Sequence, residues 1–68
     1  MTLEKRSVTL AGHRTSVALE PEFWSALETL AARRGQTLAG LVAGIDAERD
    51  PARPLASALR VFALRSGR

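Results

Sequence analysis

The stretch Arg14-Thr15-Ser16-Val17-Ala18-Leu19, followed at once by Glu20-Pro21-Glu22-Phe23-Trp24, decides how this chain is read. Its first six residues alternate, with Thr15, Val17 and Leu19 on one face of a strand and Arg14, Ser16 and Ala18 on the other. Pro21 then opens a helix, because it lacks an N–H where none is needed, while Glu20 and Glu22 suit the positive end of the helix dipole. No second convincing strand follows downstream. The N–H and C=O groups of a lone strand must find partners, so the strand is expected to pair with a copy of itself in a second chain.

Size points the same way. A 68-residue chain forms one small domain, and at that size a lone core is marginal unless disulfides, a metal or oligomerisation add stability. There is no cysteine, and the single histidine, His13, cannot assemble a metal site, so oligomerisation remains and no metal or other cofactor is expected. An apolar fraction of 46% suits a folded domain. No apolar stretch approaches a membrane span and no signal-peptide core is evident, which predicts a cytoplasmic protein without membrane contact.

Upstream of the strand, Met1 to Arg6 reads as a polar arm. Ser7-Val8-Thr9-Leu10 alternates again, but its apolar residues are even-numbered whereas Val17 and Leu19 are odd, so the two runs cannot share one face of a single regular strand. A bulge or bend at Ala11-Gly12, a hairpin turning there, or an arm that is not strand would each reconcile them; the bend or arm is preferred. No internal repeat is expected.

Downstream, Phe23, Leu27, Leu30 and Ala31 form the buried stripe of a first helix, with Trp24 placed to cover a dimer seam and Arg33-Arg34-Gly35 ending it. Thr37 caps a second helix carrying Leu38, Leu41, Val42 and Ile45, in which Gly40 and Gly44 suggest close approach of another helix. Pro51 and Pro54 mark a linker. A third helix from about Pro54 or Leu55 to Ser66 has an apolar stripe of Leu55, Leu59 and Phe62, with Arg60 and Arg65 solvated and Gly67-Arg68 as a frayed end.

Charge is segregated along the chain. The net charge is +3, yet residues 20 to 50 hold six acids (Glu20, Glu22, Glu28, Asp46, Glu48, Asp50) against Arg33, Arg34 and Arg49. Both flanking segments are basic, a polarity that suits a face presented to a polyanion, although solubility alone also accounts for it. Catalysis is not supported: hydroxyls are present, but one histidine and no converging base, acid and oxyanion site argue against an enzyme. An outward set of Arg14, Ser16 and Ala18, doubled by antiparallel pairing, can instead contact guanine, either base type and a thymine methyl in the major groove. The plain alternative is a solvated strand face.

The order RTSVAL, EPEFWSALETLAARRG, QTLAGLVAGID resembles the ribbon-helix-helix family, the architecture of the Met and Arc repressors and of many antitoxins. KRSVTLAGHRTSVALEPEFW with LASALRVFAL is similar, more narrowly, to short bacterial ribbon-helix-helix proteins, over about Lys5 to Leu64. The resemblance implies a mostly α fold with one N-terminal strand, an intertwined homodimer with an intermolecular two-stranded antiparallel ribbon, and here an added third helix. It implies an arm or extra strand at 1–12, a core at 13–50, and a linker with a C-terminal helix at 51–68. Base reading falls to Arg14, Ser16 and Ala18, and phosphate contact to Thr37, Leu38 and Ala39 at the second helix N-terminus, with Lys5, Arg6 and His13 added. The dimer core becomes Thr15, Val17, Leu19, Phe23, Trp24, Leu27, Leu41, Val42 and Ile45. The partner implied is double-stranded DNA, bound by a small nucleoid-associated regulator, a repressor, as a homodimer or tetramer. The rival readings are an antitoxin or adaptor that binds a protein through its third helix, and an architectural DNA binder without sequence preference.

Overall fold

The computed structural model describes residues 2–67; Met1 and Arg68, read above as part of an arm and of a frayed end, lie outside the described residues. Two strands, β1 (Glu4–Leu10) and β2 (His13–Leu19), precede three helices, α1 (Pro21–Arg33), α2 (Leu38–Glu48) and α3 (Leu55–Ser66). The expectation of a single strand is thereby corrected. β1 and β2 pair antiparallel within the chain, with Leu10 opposite His13, Ser7 opposite Ser16 and Glu4 opposite Leu19.

The reason lies in two residues. Ala11 and Gly12 both take positive φ, 50° and 82°, as the two central positions of a type I′ hairpin turn require. A two-residue loop sets even-numbered residues of β1 opposite odd-numbered residues of β2, so Val8 and Leu10 join Val17 and Leu19 on one buried face. The parity change read as a bend or an arm is thus the mark of a hairpin. Pairing also corrects the expectation of no repeat: Lys5-Arg6-Ser7-Val8-Thr9-Leu10 recurs nine residues later as Arg14-Thr15-Ser16-Val17-Ala18-Leu19.

The buried face of the hairpin sits on the helices, β1 against α2 and β2 against α3, while α1 packs on both α2 and α3. Leu19, Trp24, Leu27, Val42 and Leu59 are fully buried at the centre, and among the described residues no polar side chain is buried. Burying each such side chain stabilises by about 1.5–3 kcal/mol, so the one chain assembles a core of its own. Trp24 is the tie between sheet and helices. Its indole N–H donates to the Glu4 carbonyl at 2.8 Å, and the Arg6 guanidinium lies 5.0 Å over its ring.

The helix ends follow their sequence signals. At the end of α1, Gly35 at φ 66° lets its own amide bond Ala32 O at 3.1 Å and the Gln36 amide reach Ala31 O at 2.9 Å, the paired bonds of a Schellman cap. Thr37 Oγ1 accepts from the Gly40 amide at 3.0 Å and caps α2. Arg60 departs from expectation: instead of remaining solvated it donates to Glu20 at 2.9 Å and lies 5.9 Å over Phe23, tying α3 to the start of α1. A bond from its own backbone amide, and then Arg60, hold the Glu20 carboxyl below its ordinary value. That contribution is complete above the ordinary glutamate range and is lost as pH falls through the lowered value. A Cβ at Gly44 would meet nothing within 4 Å, and one at Gly40 only Thr37 Oγ1 at 3.2 Å, so among the described residues no helix of this chain lies against either glycine.

Two stability measurements check this account. Ala11→Asn, which tolerates positive φ better than alanine, should stabilise the chain by about 0.5–1 kcal/mol in urea melts, and an unchanged or lower midpoint would contradict the turn. Trp24→Phe keeps an aromatic ring but leaves the Glu4 carbonyl without its donor and the site underfilled, and should destabilise by at least about 1–3 kcal/mol.

Candidate nucleic-acid interface

The face of the hairpin turned away from the helices carries the cross-strand pairs Lys5–Ala18, Ser7–Ser16 and Thr9–Arg14. All but Ala18, which is half-buried, are exposed. Seven residues of strand extend about 23 Å, and two strands lie about 5 Å apart, a ribbon narrower than the roughly 12 Å major groove of B-DNA. This face holds two cations, three hydroxyls and no acid.

The nearest carboxylates are turned aside. Glu4 is in register with Leu19 on the opposite face, where the Arg6 side chain bonds both Glu4 and, at 3.2 Å, Glu28 on α1. Those two bonds, Glu4 first, raise the already high Arg6 pKa, so its charge is fixed at any working pH. Two further pairs, Arg49–Asp46 at 2.8 Å and Arg60–Glu20 at 2.9 Å, neutralise two more acids. Among the described residues this leaves Lys5, Arg14, Arg33, Arg34, Arg53 and Arg65 without an ion pair, against Glu22, Glu48 and Asp50. The uncompensated charge of the surface is positive.

The structure sorts the residues proposed from sequence. Arg14, Ser16 and Ala18 share the outward face, and Lys5 joins them opposite Ala18, as a ribbon residue rather than part of an arm. Arg6 does not. One residue away along the strand it points to the other face, where it is engaged with two carboxylates and Trp24. His13 is exposed beside the turn, in register with Leu10 and thus on the face opposite Arg14. At the start of α2, Thr37 takes the Gly40 amide, and the Leu38 and Ala39 amides have no acceptor among the described residues, so they are open to an anion at the positive end of the helix.

The residues assigned to a dimer core lie within one chain. Val17, Leu19, Trp24, Leu27, Leu41 and Val42 are buried there, and Thr15, Phe23 and Ile45 half-buried. Ser7 and Thr9 were missed altogether. The signal that could have found them was the parity change across two residues together with the repeat of the two runs.

Elsewhere, a shallow groove between α2 and α3 is floored by Leu41, Ile45, Val61 and Phe62 and edged by arginines, with Arg34 lying 5.0 Å over Phe62. Among the described residues no cluster of three metal-ligating side chains occurs, and no helix is long and apolar enough to cross a membrane.

Residues 3–66 match the family model of the ribbon-helix-helix domain. Among solved structures, an uncharacterized protein from Bordetella pertussis Tohama I is similar, with a TM-score of 0.87 and 38% identity over 97% of this chain and 56% of that one. The chain thus spans about half the length of the solved chain it matches. No curated protein matches it.

The division of the hairpin into two faces is checked by stability alone. Lys5→Ala and Arg14→Ala should each leave the unfolding free energy within about 0.5 kcal/mol, as outward residues without partners do. Arg6→Ala should lower the midpoint by several degrees, because it uncovers Trp24 and frees two carboxylates. Equal effects at positions 5 and 6 would contradict the assignment.

Proposed function

Because the chain belongs to the ribbon-helix-helix family, a regulatory DNA-binding fold, we propose that it is a small transcriptional regulator, a repressor, that inserts its hairpin into the major groove of double-stranded DNA. The observation that carries this reading is the outward face itself: two cations and three hydroxyls on a narrow ribbon, with the neighbouring carboxylates held on the other side by Arg6. Arg14 suits the O6/N7 edge of guanine, Ser7 and Ser16 can bond either base type, and Ala18 suits a thymine methyl. Lys5 adds a charge for a guanine or a phosphate, and the free amides of Leu38 and Ala39 suit a backbone phosphate. The chemistry is recognition, and it needs no cofactor.

Ribbon-helix-helix domains typically bind DNA as dimers. Here a second chain is not needed to complete the ribbon, so a homodimer or tetramer of this protein would form through other surfaces. The adaptor reading draws less support, because Ala58, Leu59 and Ala63 of α3 are buried in the core and only Leu64 stands out as an exposed large apolar side chain of that helix.

Selection from a random pool of duplex DNA tests the reading. A defined motif is expected, and Arg14→Ala should reduce discrimination at a guanine by about 5- to 100-fold while leaving the fold intact. For about three neutralised phosphates, affinity should fall roughly 40-fold between 50 and 200 mM salt. A flat profile would support an architectural binder, and no binding at low salt would overturn the proposal.

A further inference from the structure

The repeat and the register together give the ribbon a property that neither shows alone. An antiparallel pair has a local two-fold axis, and here it passes through the Ser7–Ser16 pair. Rotation about it exchanges Lys5 with Arg14 and Thr9 with Ala18, so the outward face consists of two related triplets, Lys5-Ser7-Thr9 and Arg14-Ser16-Ala18, running in opposite directions. The inner face obeys the same exchange, Val8 with Val17 and Leu10 with Leu19, all four of them buried.

We infer that one chain reads an imperfect palindrome, each triplet facing one half, with Thr9 and Lys5 as the residues that make the halves differ. The inference rests on the DNA-binding reading above and adds to it the symmetry of the site and the residues that set it. Successive outward residues of a strand are about 6.6 Å apart, close to two base-pair steps, so the ribbon spans about five or six base pairs. Duplex DNA has two-fold axes of its own, and a ribbon with identical strands would meet a perfect palindrome with equivalent contacts.

These strands are not identical. Arg14 offers a planar fork that can take both acceptors of one guanine, whereas Lys5 offers a point charge that tolerates other arrangements of acceptors. Thr9 brings a hydroxyl where Ala18 brings only a methyl group. One half-site should therefore be read strictly at the position facing arginine and the other more loosely at the position facing lysine. A second copy bound alongside would repeat this unit without making it symmetric. In a ribbon shared between two chains, by contrast, every residue occurs twice and each substitution changes two symmetry-related positions.

The test is selection from a random duplex pool with the full chain and two variants. The unaltered protein should select an imperfect palindrome within the roughly five or six base pairs of each ribbon, and Arg14→Ala should erase the preference at only one position of each such unit. The Lys5→Arg/Thr9→Ala double variant, whose two triplets both read arginine, serine, alanine, should select a perfect palindrome. Both of its changes are at exposed positions, and a melting curve checks that the variant is folded. A perfect palindrome within the roughly five or six base pairs of a single ribbon, with Arg14→Ala acting at two symmetry-related positions inside it, would overturn the inference while leaving DNA reading in place. Failure of every folded variant to enrich any sequence would overturn both.

Discussion

The reversal of the chain at Ala11 and Gly12 is the constraint on which the rest depends. With both residues at positive φ, the loop is two residues long, and the register that follows matches Leu10 to His13 and each earlier residue of β1 to a later one of β2. A slip of one residue would turn every side chain of a strand to the opposite face. Val8 and Leu10 would then meet water, Lys5 would face the helices, and the separation of charge across the ribbon would disappear. Alanine is not a favoured residue at such a turn, since its Cβ costs about 1–2 kcal/mol in the left-handed region, so the remainder of the fold must hold the reversal in place.

That support comes from the buried face. Val8, Leu10, Val17 and Leu19 enter one core with Trp24, Leu27, Val42 and Leu59. Trp24 fixes the far end of the hairpin by bonding the Glu4 carbonyl, and Arg6 closes over its ring while holding Glu4 and Glu28. The same contacts serve packing and electrostatics. By gathering the nearest carboxylates on the inner side, Arg6 leaves Lys5 and Arg14 unopposed on the outer one. Stability and recognition are divided between adjacent residues of a single strand, Lys5 facing out and Arg6 facing in.

Much of this was legible in the residues, for local reasons. Pro21 at a helix start, Gly35 after a basic last turn and Thr37 as a cap are signals that act within one turn of helix, and each helix lies where they place it. The outward placement of Arg14, Ser16 and Ala18 followed from strict alternation in β2. What could not be read depended on pairing. The hairpin was one of three readings open at Ala11-Gly12, a dipeptide without the asparagine or aspartate that usually announces a type I′ turn. Without that partner strand, Ser7 and Thr9 had no surface to belong to, and Arg6 could not be told from Lys5. Arg60 shows the same limit: its ion pair with Glu20 joins residues forty positions apart, and no periodicity reports it.

The central claim is that a ribbon built by one chain presents its outward face to duplex DNA. Backbone amide shifts of the isotope-labelled protein, followed by nuclear magnetic resonance during titration with mixed-sequence duplex, test it most directly. Perturbation should concentrate at Lys5, Ser7, Thr9, Arg14 and Ser16 and at the amides of Leu38 and Ala39, with α3 and the surroundings of Glu28 little changed. Shifts confined to the groove between α2 and α3, with the ribbon unmoved at saturating DNA, would contradict it.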